Sequence, residues 1–179
     1  MQEDKRRNRY LQWQERLNKT AWYKFIWSLF AIYTVGGVIV FFFVLLFSGY
    51  QNVAVVALAS LFIARGVISP LVYLLYKKAR PYQQYEFTTI FSKLLSTRSH
   101  IHNSFPSDHA LSLAALSFVV LYFLPVVGWI LLVLMLLNGY GRIVLGYHDW
   151  FDVIGGWIIG GLVAWGSIVF IAPMLFTRI

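Results

Sequence analysis

The stretch "NSFPSDHALSLAALSFVVLYFLP", Asn103 to Pro125, opens polar and turns almost wholly apolar at Ala110. A run that stays apolar as far as Pro125 suits a lipid surround, yet Pro106, Ser107, Asp108 and His109 set polar and ionisable groups at its mouth. Four more apolar runs lie near Trp22 to Ser48, Val53 to Tyr76, Val126 to Leu145 and Phe151 to Phe176. A helix needs roughly 20 apolar residues to cross a hydrocarbon core of about 30 Å, because every backbone group there must be hydrogen-bonded internally. The run at Ala110 to Leu124 is short, and Pro106 to His109 complete it if they join its start. The expected fold is an all-α polytopic membrane helix bundle with five transmembrane helices. Tight links at Gly49 to Asn52 and around Pro125 predict antiparallel hairpins between neighbours.

Composition supports a membrane protein. Hydrophobic residues make up 59% of the chain and charged residues 12%, against about half and about a quarter in soluble domains. Residues 21–179 form one domain, with no linker, low-complexity tract or repeat to divide them. The absence of cysteine excludes disulfides, thiolate metal sites and cysteine nucleophiles. The first apolar run starts late, is too long and has no small-residue cleavage site after it, which argues against a cleaved signal peptide. In "RNRYLQWQERLNKTAW", Tyr10, Trp13, Leu17 and Ala21 recur at steps of three and four, with Arg7, Arg9, Glu15, Arg16 and Lys19 on the other faces. Residues 1–20 therefore read as a basic amphipathic helix lying in the headgroup region, with a frayed basic tail as the plainer alternative.

With five spans, the N-terminus, Lys77 to Phe105 and Arg142 to Trp150 share one side of the membrane. That side holds every acidic residue and all the basic ones except Arg65 and Arg178. Positive charge of this kind marks the cytoplasmic side, whereas Arg80 and Arg142 have a chemical explanation that leaves an external site open. Arg65 falls near the middle of the second span, where a charge costs roughly 2.5 to 3.5 kcal/mol and usually faces a cavity or the bundle interior. No acid within a span is expected to pair with it. Pro70 leaves the Gly66 carbonyl without its helical donor, so capture by backbone is the other reading of Arg65.

Three clusters carry chemistry. In "YKKARP", Tyr76 to Pro81, Arg80 offers a planar fork that fits two phosphate oxygens, although a basic membrane stop looks much the same. In the opening stretch, Ser104 or Ser107 caps the third helix, Pro106 suits its first turn, and the free N–H groups there form an anion site with His109 at its edge. In "GRIVLGYHDWFDVIGG", Gly141 to Gly156, His148 and Asp152 are four apart, so a helix starting near Asp149 lets the carboxylate reach one ring nitrogen. The other nitrogen is then left as nucleophile or base. Each cluster alone is weak evidence, but three at membrane boundaries on one side are able to converge in space.

Together these residues resemble the type 2 phosphatidic acid phosphatase superfamily, whose pattern is KxxxxxxRP, PSGH and SRxxxxxHxxxD. Arg80-Pro81, Pro106-Ser107-Asp108-His109, and Arg142, His148 and Asp152 match in order and spacing, over roughly residues 53 to 176. Three positions depart. Tyr73 stands where the family has lysine, Asp108 replaces the glycine, as in bacterial members similar to undecaprenyl-diphosphate phosphatases, and Gly141 replaces the serine. The resemblance implies that His148 attacks phosphorus to form a phosphohistidine, that Asp152 orients it, and that His109 protonates the leaving oxygen. It further implies that Arg80, Arg142, Ser107 and backbone near Asp108 hold the phosphate, with Lys77 or Lys78 in place of the missing lysine.

The resulting expectation is a lipid phosphatase of the cell membrane, the inner membrane of a bacterium. It acts without metal or cofactor on a polyprenyl diphosphate or, next, on phosphatidic acid or phosphatidylglycerophosphate. Membrane lipids and a lipid phosphate are its partners, with no nucleic acid. A phosphotransferase using the same site, a hydrolase with a metal on His109, His148, Asp152 and His102, and a non-catalytic binder of anionic lipid are the competing readings. His100, His102, Lys93 and Arg98, in the long loop, read as solvated.

Overall fold

A computed structural model describes residues 20–84 and 104–176, with Arg7, Asn8, Leu11, Gln12 and Glu15 of the N-terminal segment. Those five are helical, while the expected apolar stripe of Tyr10, Trp13 and Leu17 lies outside the described residues, as do Lys93, Arg98, His100 and His102. Among the described residues every regular element is helical: α1 Ala21–Ser28, a π-helical turn Leu29–Tyr33, α2 Thr34–Phe47, α3 Gln51–Phe62, a second π-helical turn Ile63–Ile68, α4 Ser69–Leu75, α5 Pro81–Gln84, α6 Asp108–Phe123, α7 Pro125–Val144, α8 Trp150–Phe170 and α9 Ala172–Phe176.

Three continuous stretches are long and apolar enough to cross a membrane, Gln51–Leu75, Pro125–Val144 and Trp150–Phe176. Phe25–Tyr33 and Gly36–Phe47, bent by 40°, supply a fourth if they act as one span. The fifth expected span differs. α6 begins at Asp108 and has 16 residues, so it is only about 24 Å long. Pro106 stays ahead of the helix, and Ser107, with φ −67° and ψ 113°, is the flanking residue. The start is late because the preceding backbone is already engaged elsewhere. The Ser104 N–H donates to the Lys78 carbonyl (3.0 Å), the Pro106 carbonyl accepts from the Tyr73 hydroxyl (3.1 Å), and the Ser107 N–H donates to the Asp152 carbonyl (2.9 Å).

α6 is the axis of the bundle, buried from Ala110 to Val120 on most faces and flanked by α3, α7 and α8. Against α8 it packs backbone to backbone. A Cβ on Gly160 would stand 2.3 Å from the Leu111 carbonyl oxygen, and one on Gly156 would stand 2.9 Å from that of Ser107. Gly156, Gly160, Ala164 and Ser167 form the buried stripe of α8, whereas Ile154, Ile158, Leu162 and Trp165 face outward. Small residues inside and large apolar ones outside are what lipid demands, because apolar surface gains little by hiding from hydrocarbon and close helix contact must supply the attraction.

Both π-helical turns have local causes or compensations. In the first, the amide of Asn138 on α7 donates to the carbonyls of Phe30 (2.8 Å) and Ala31 (3.4 Å). The second ends immediately before Ser69-Pro70, where the proline has no N–H to give and its ring crowds the preceding turn. A wide turn absorbs the mismatch, and Gln51–Leu75 runs on as one helix.

Candidate active site

The third cluster is shaped by two helix caps. α7 ends in a left-handed Gly146 (φ 75°) whose N–H donates to Ile143 O (2.9 Å), while Tyr147 N–H donates to Arg142 O (3.0 Å). This double bond pattern closes the helix over Arg142. Asp149 then starts α8 with a reciprocal box, in which its Oδ1 accepts from Asp152 N–H (3.0 Å) and Asp152 Oδ2 accepts from Asp149 N–H (3.2 Å). His148 sits between the two caps, 2% exposed, with its backbone fixed from both ends. Gly141, the departure from the family's serine, lies against the first helix, where a Cβ would stand 3.1 Å from the Trp27 carbonyl oxygen.

The imidazole finds a different partner from the one its spacing suggests. Nδ1 of His148 lies 2.9 Å from the Ser104 carbonyl oxygen and 3.7 Å from Asp152 Oδ2. The second distance is too long for a hydrogen bond. Asp152 is held back because its oxygens already accept from Ser104 Oγ (2.5 Å), Lys78 Nζ (2.6 Å) and the Asp149 N–H. A carbonyl only accepts, so Nδ1 carries the proton and Nε2 keeps its lone pair. Burial pushes His148 down to about 4, against the raising influence of Asp152 and with the charges of Arg80 and Arg142 adding to the effect. The ring is therefore neutral at pH 7.

The other two clusters lock onto this one. Ser104 contributes its N–H to Lys78, its hydroxyl to Asp152 and its carbonyl to His148. Lys78 Nζ bridges Asp149 Oδ2 and Asp152 Oδ1, each at 2.6 Å, and Lys77 is exposed. Burial opposes the Lys78 charge, but the two carboxylates overcome it and raise its pKa. Lys78 is thus engaged by carboxylates, and Tyr73, standing where the family has lysine, spends its hydroxyl on Pro106. Arg142 is buried with its guanidinium 5.3 Å from the Tyr147 ring, and among the described residues its Nε has no hydrogen-bond partner. The Ser107 hydroxyl, which makes no cap bond, is likewise buried and without one. Arg80, Arg142 and His148 all lie within electrostatic reach of His109.

Arg65, expected to lack an acidic partner, has one: its Nη2 is 3.1 Å from Asp108 Oδ2, and Asp108 Oδ1 accepts from Ser69 Oγ at 2.6 Å. The correction comes from helix depth. Because α6 starts late, its first residue sits level with the interior of the second span. Behind this pair opens a cavity of about 540 Å³, lined by Val38, Phe42 and Phe43 of α2, Leu58 and Leu61 of α3, and Ser112, Leu113 and Leu116 of α6, with Arg65, Asp108 and His109 at its polar end. A groove of about 570 Å³ between the outer faces of α6 and α8 holds no charged residue. No three His, Asp or Glu side chains are grouped as metal ligands among the described residues; His102 lies outside them. Ser104 was expected only as a possible cap of the third helix, a place Ser107 takes instead, and Ser69 and Asp149 were given no site role by sequence. Only Asp149 carried a signal, as the acid three residues before Asp152.

Comparison with known proteins adds to this geometry. Residues 53–174 match the family described as PAP2 superfamily. The chain is 32% identical over 101 residues to "Undecaprenyl-diphosphatase BcrC" of Bacillus subtilis (strain 168), covering 56% of this chain and 49% of that protein. It is 36% identical over 83 residues to "Bacitracin transport permease protein BcrC" of Bacillus licheniformis, covering 46% and 40%. The matches thus span about half the length of these curated relatives or less, and no solved structure matches. With the three-part pattern brought together at one end of a membrane bundle and the family match extending over well more than half of its residues, the chain belongs to the PAP2 superfamily.

Proposed function

We propose that the protein is an integral-membrane lipid phosphatase that removes the terminal phosphate of a polyprenyl diphosphate through a phosphohistidine on His148, without a metal. The observation that carries the reading is the environment of His148: buried, neutral, with Nδ1 committed to a carbonyl and positive charge on Arg80 and Arg142 nearby. The name of the Bacillus subtilis relative supports the substrate class.

In this reading Nε2 of His148 attacks the terminal phosphorus as the bridging P–O bond breaks. His109 delivers a proton to the departing oxygen, then takes one from the water that cleaves the N–P bond. Arg80 and Arg142, the Ser107 hydroxyl and the first N–H groups of α6 hold the equatorial oxygens. Phosphoryl transfer is mainly positioning plus stabilisation of spread negative charge, which fixed arginines and a helix N-terminus supply. Asp152 and Lys78 keep the His148 turn in place. The protein works in the bacterial inner membrane, with the lipid tail between helices.

Terminally labelled farnesyl diphosphate and phosphatidic acid, given to the purified protein in detergent, test the proposal. Rapid quenching should show a base-stable, acid-labile label on the protein, and phosphate release should survive EDTA and fall with vanadate. Loss of the label in His148→Ala with unchanged gel-filtration behaviour is expected. Retained turnover in that variant sinks the mechanism, and release from phosphatidic acid alone sinks the substrate class.

A further inference from the structure

Arg65 has no part in the phosphoryl-transfer step above, although it is a costly charge to place deep in a span. It precedes the end of α4 at Leu75 by ten residues, about 15 Å along the helix. Its surroundings explain how it is kept. Asp108 is pinned by Ser69 Oγ at 2.6 Å and in turn holds one guanidinium nitrogen at 3.1 Å. The Arg65 side chain remains 48% exposed, facing the cavity whose walls include Phe42, Leu61 and Leu116 and whose polar end also holds His109. A guanidinium carries five N–H donors, so pairing one nitrogen leaves the fork with capacity for a second anion.

The order of groups constrains what that anion is. If the tail fills the apolar cavity and the terminal phosphorus meets His148, the leaving oxygen is at His109. Whatever joins that oxygen to the tail then lies beside Arg65. In a lipid monophosphate this is an uncharged carbon chain. In a lipid diphosphate it is a second phosphate, an anion that apolar walls alone would reject.

We propose that Arg65, oriented by Asp108 and Ser69, binds the phosphate that stays on the lipid and so makes the site selective for lipid diphosphates. The inference rests on the phosphatase reading and deepens it. The reaction balances as lipid diphosphate plus water giving lipid monophosphate and inorganic phosphate. The His148–phosphorus bond forms as the bridging bond breaks, and its electron pair stays on the oxygen of the phosphate held by Arg65. Asp108, which replaces the family's glycine, is a positioning residue for Arg65 in this scheme.

Binding measurements on the full chain in detergent separate this role from general damage. The probes are the methylene-bridged analogue of farnesyl diphosphate, which spans both phosphate positions, and orthovanadate, which fills only the transferred one. Arg65→Gln should weaken the analogue, and lower kcat/KM for farnesyl diphosphate, by roughly 10- to 100-fold, the range for a lost charge-assisted hydrogen bond. Inhibition by vanadate should change less than about twofold, a readout that a misfolded site would not preserve. Parallel loss of both inhibitors, or no change in either, overturns the proposal. If Arg65→Gln does not fold, Arg65→Lys carries the test, because it keeps the charge but loses the fork: a several-fold weakening of the analogue alone supports the proposal, and any other pattern overturns it. A wild-type protein that releases no phosphate from farnesyl diphosphate, or a His148→Ala variant that still does, defeats the phosphatase reading instead.

Discussion

The Ser104 carbonyl oxygen lies 2.9 Å from Nδ1 of His148, nearer than any oxygen of Asp152. A backbone atom forty-four residues away thus sets the tautomer of the proposed nucleophile, while the carboxylate four residues on holds the surrounding turn.

Asp152→Asn should accordingly hurt less than the loss of a sole orienting carboxylate. Where a carboxylate alone fixes a catalytic histidine, its amide variant costs about 10⁴ in kcat. Here the Ser104 carbonyl still keeps Nδ1 protonated, so a fall of roughly 10- to 100-fold is expected. Steady-state phosphate release beside His148→Ala is the check, and equal losses in the two variants would refute the division of roles.

Acid sensitivity follows from His148. Its pKa of about 4 in the folded protein keeps Nε2 unprotonated far below the ordinary imidazole value of about 6.5. The acid limb of kcat/KM set by this group should lie near 4. For stability the sign is the same as for any depressed base: below about 6.5 the unfolded chain takes up a proton that the fold refuses, so stability falls as pH drops from 6.5 towards 4. A pH–rate profile and thermal unfolding at pH 5 and 7 measure the two effects.

Lys78→Met should destabilise the protein rather than abolish phosphate binding. It would leave Asp152, 0% exposed at its side chain, without its cation, at a cost of about 1 to 3 kcal/mol. Thermal unfolding in detergent should show a lower midpoint, with inhibition by vanadate changed little in the folded fraction.

The α6–α8 contact predicts a sharp contrast between two glycines. Gly160→Ala places a Cβ 2.3 Å from the Leu111 carbonyl oxygen and should cost about 1 to 3 kcal/mol by overpacking. Gly166→Ala meets nothing within 4 Å and should be neutral or slightly stabilising. Comparing their unfolding midpoints tests whether close backbone packing holds the bundle.

Apolar run length sufficed to read an all-helical membrane bundle, because lipid leaves the backbone no other way to satisfy itself at those positions. The helix start near Asp149 was equally legible: Asp149 caps α8, Asp152 lies in its first turn, and His148 sits just ahead of it in the turn that Gly146 and Asp149 bound. These are local relations, decided within one turn of chain. What only the tertiary structure decided are contacts that depend on how deep each helix sits. The late start of α6 brings Asp108 to Arg65 and leaves Pro106 ahead of the helix, where Tyr73 reaches it, while the packing of the segment after α4 against the cap of α8 sends Lys78 to Asp149 and Asp152. The acceptor for His148 was beyond any sequence reading, since every residue owns a carbonyl and only the packing of three segments determines which one reaches the ring.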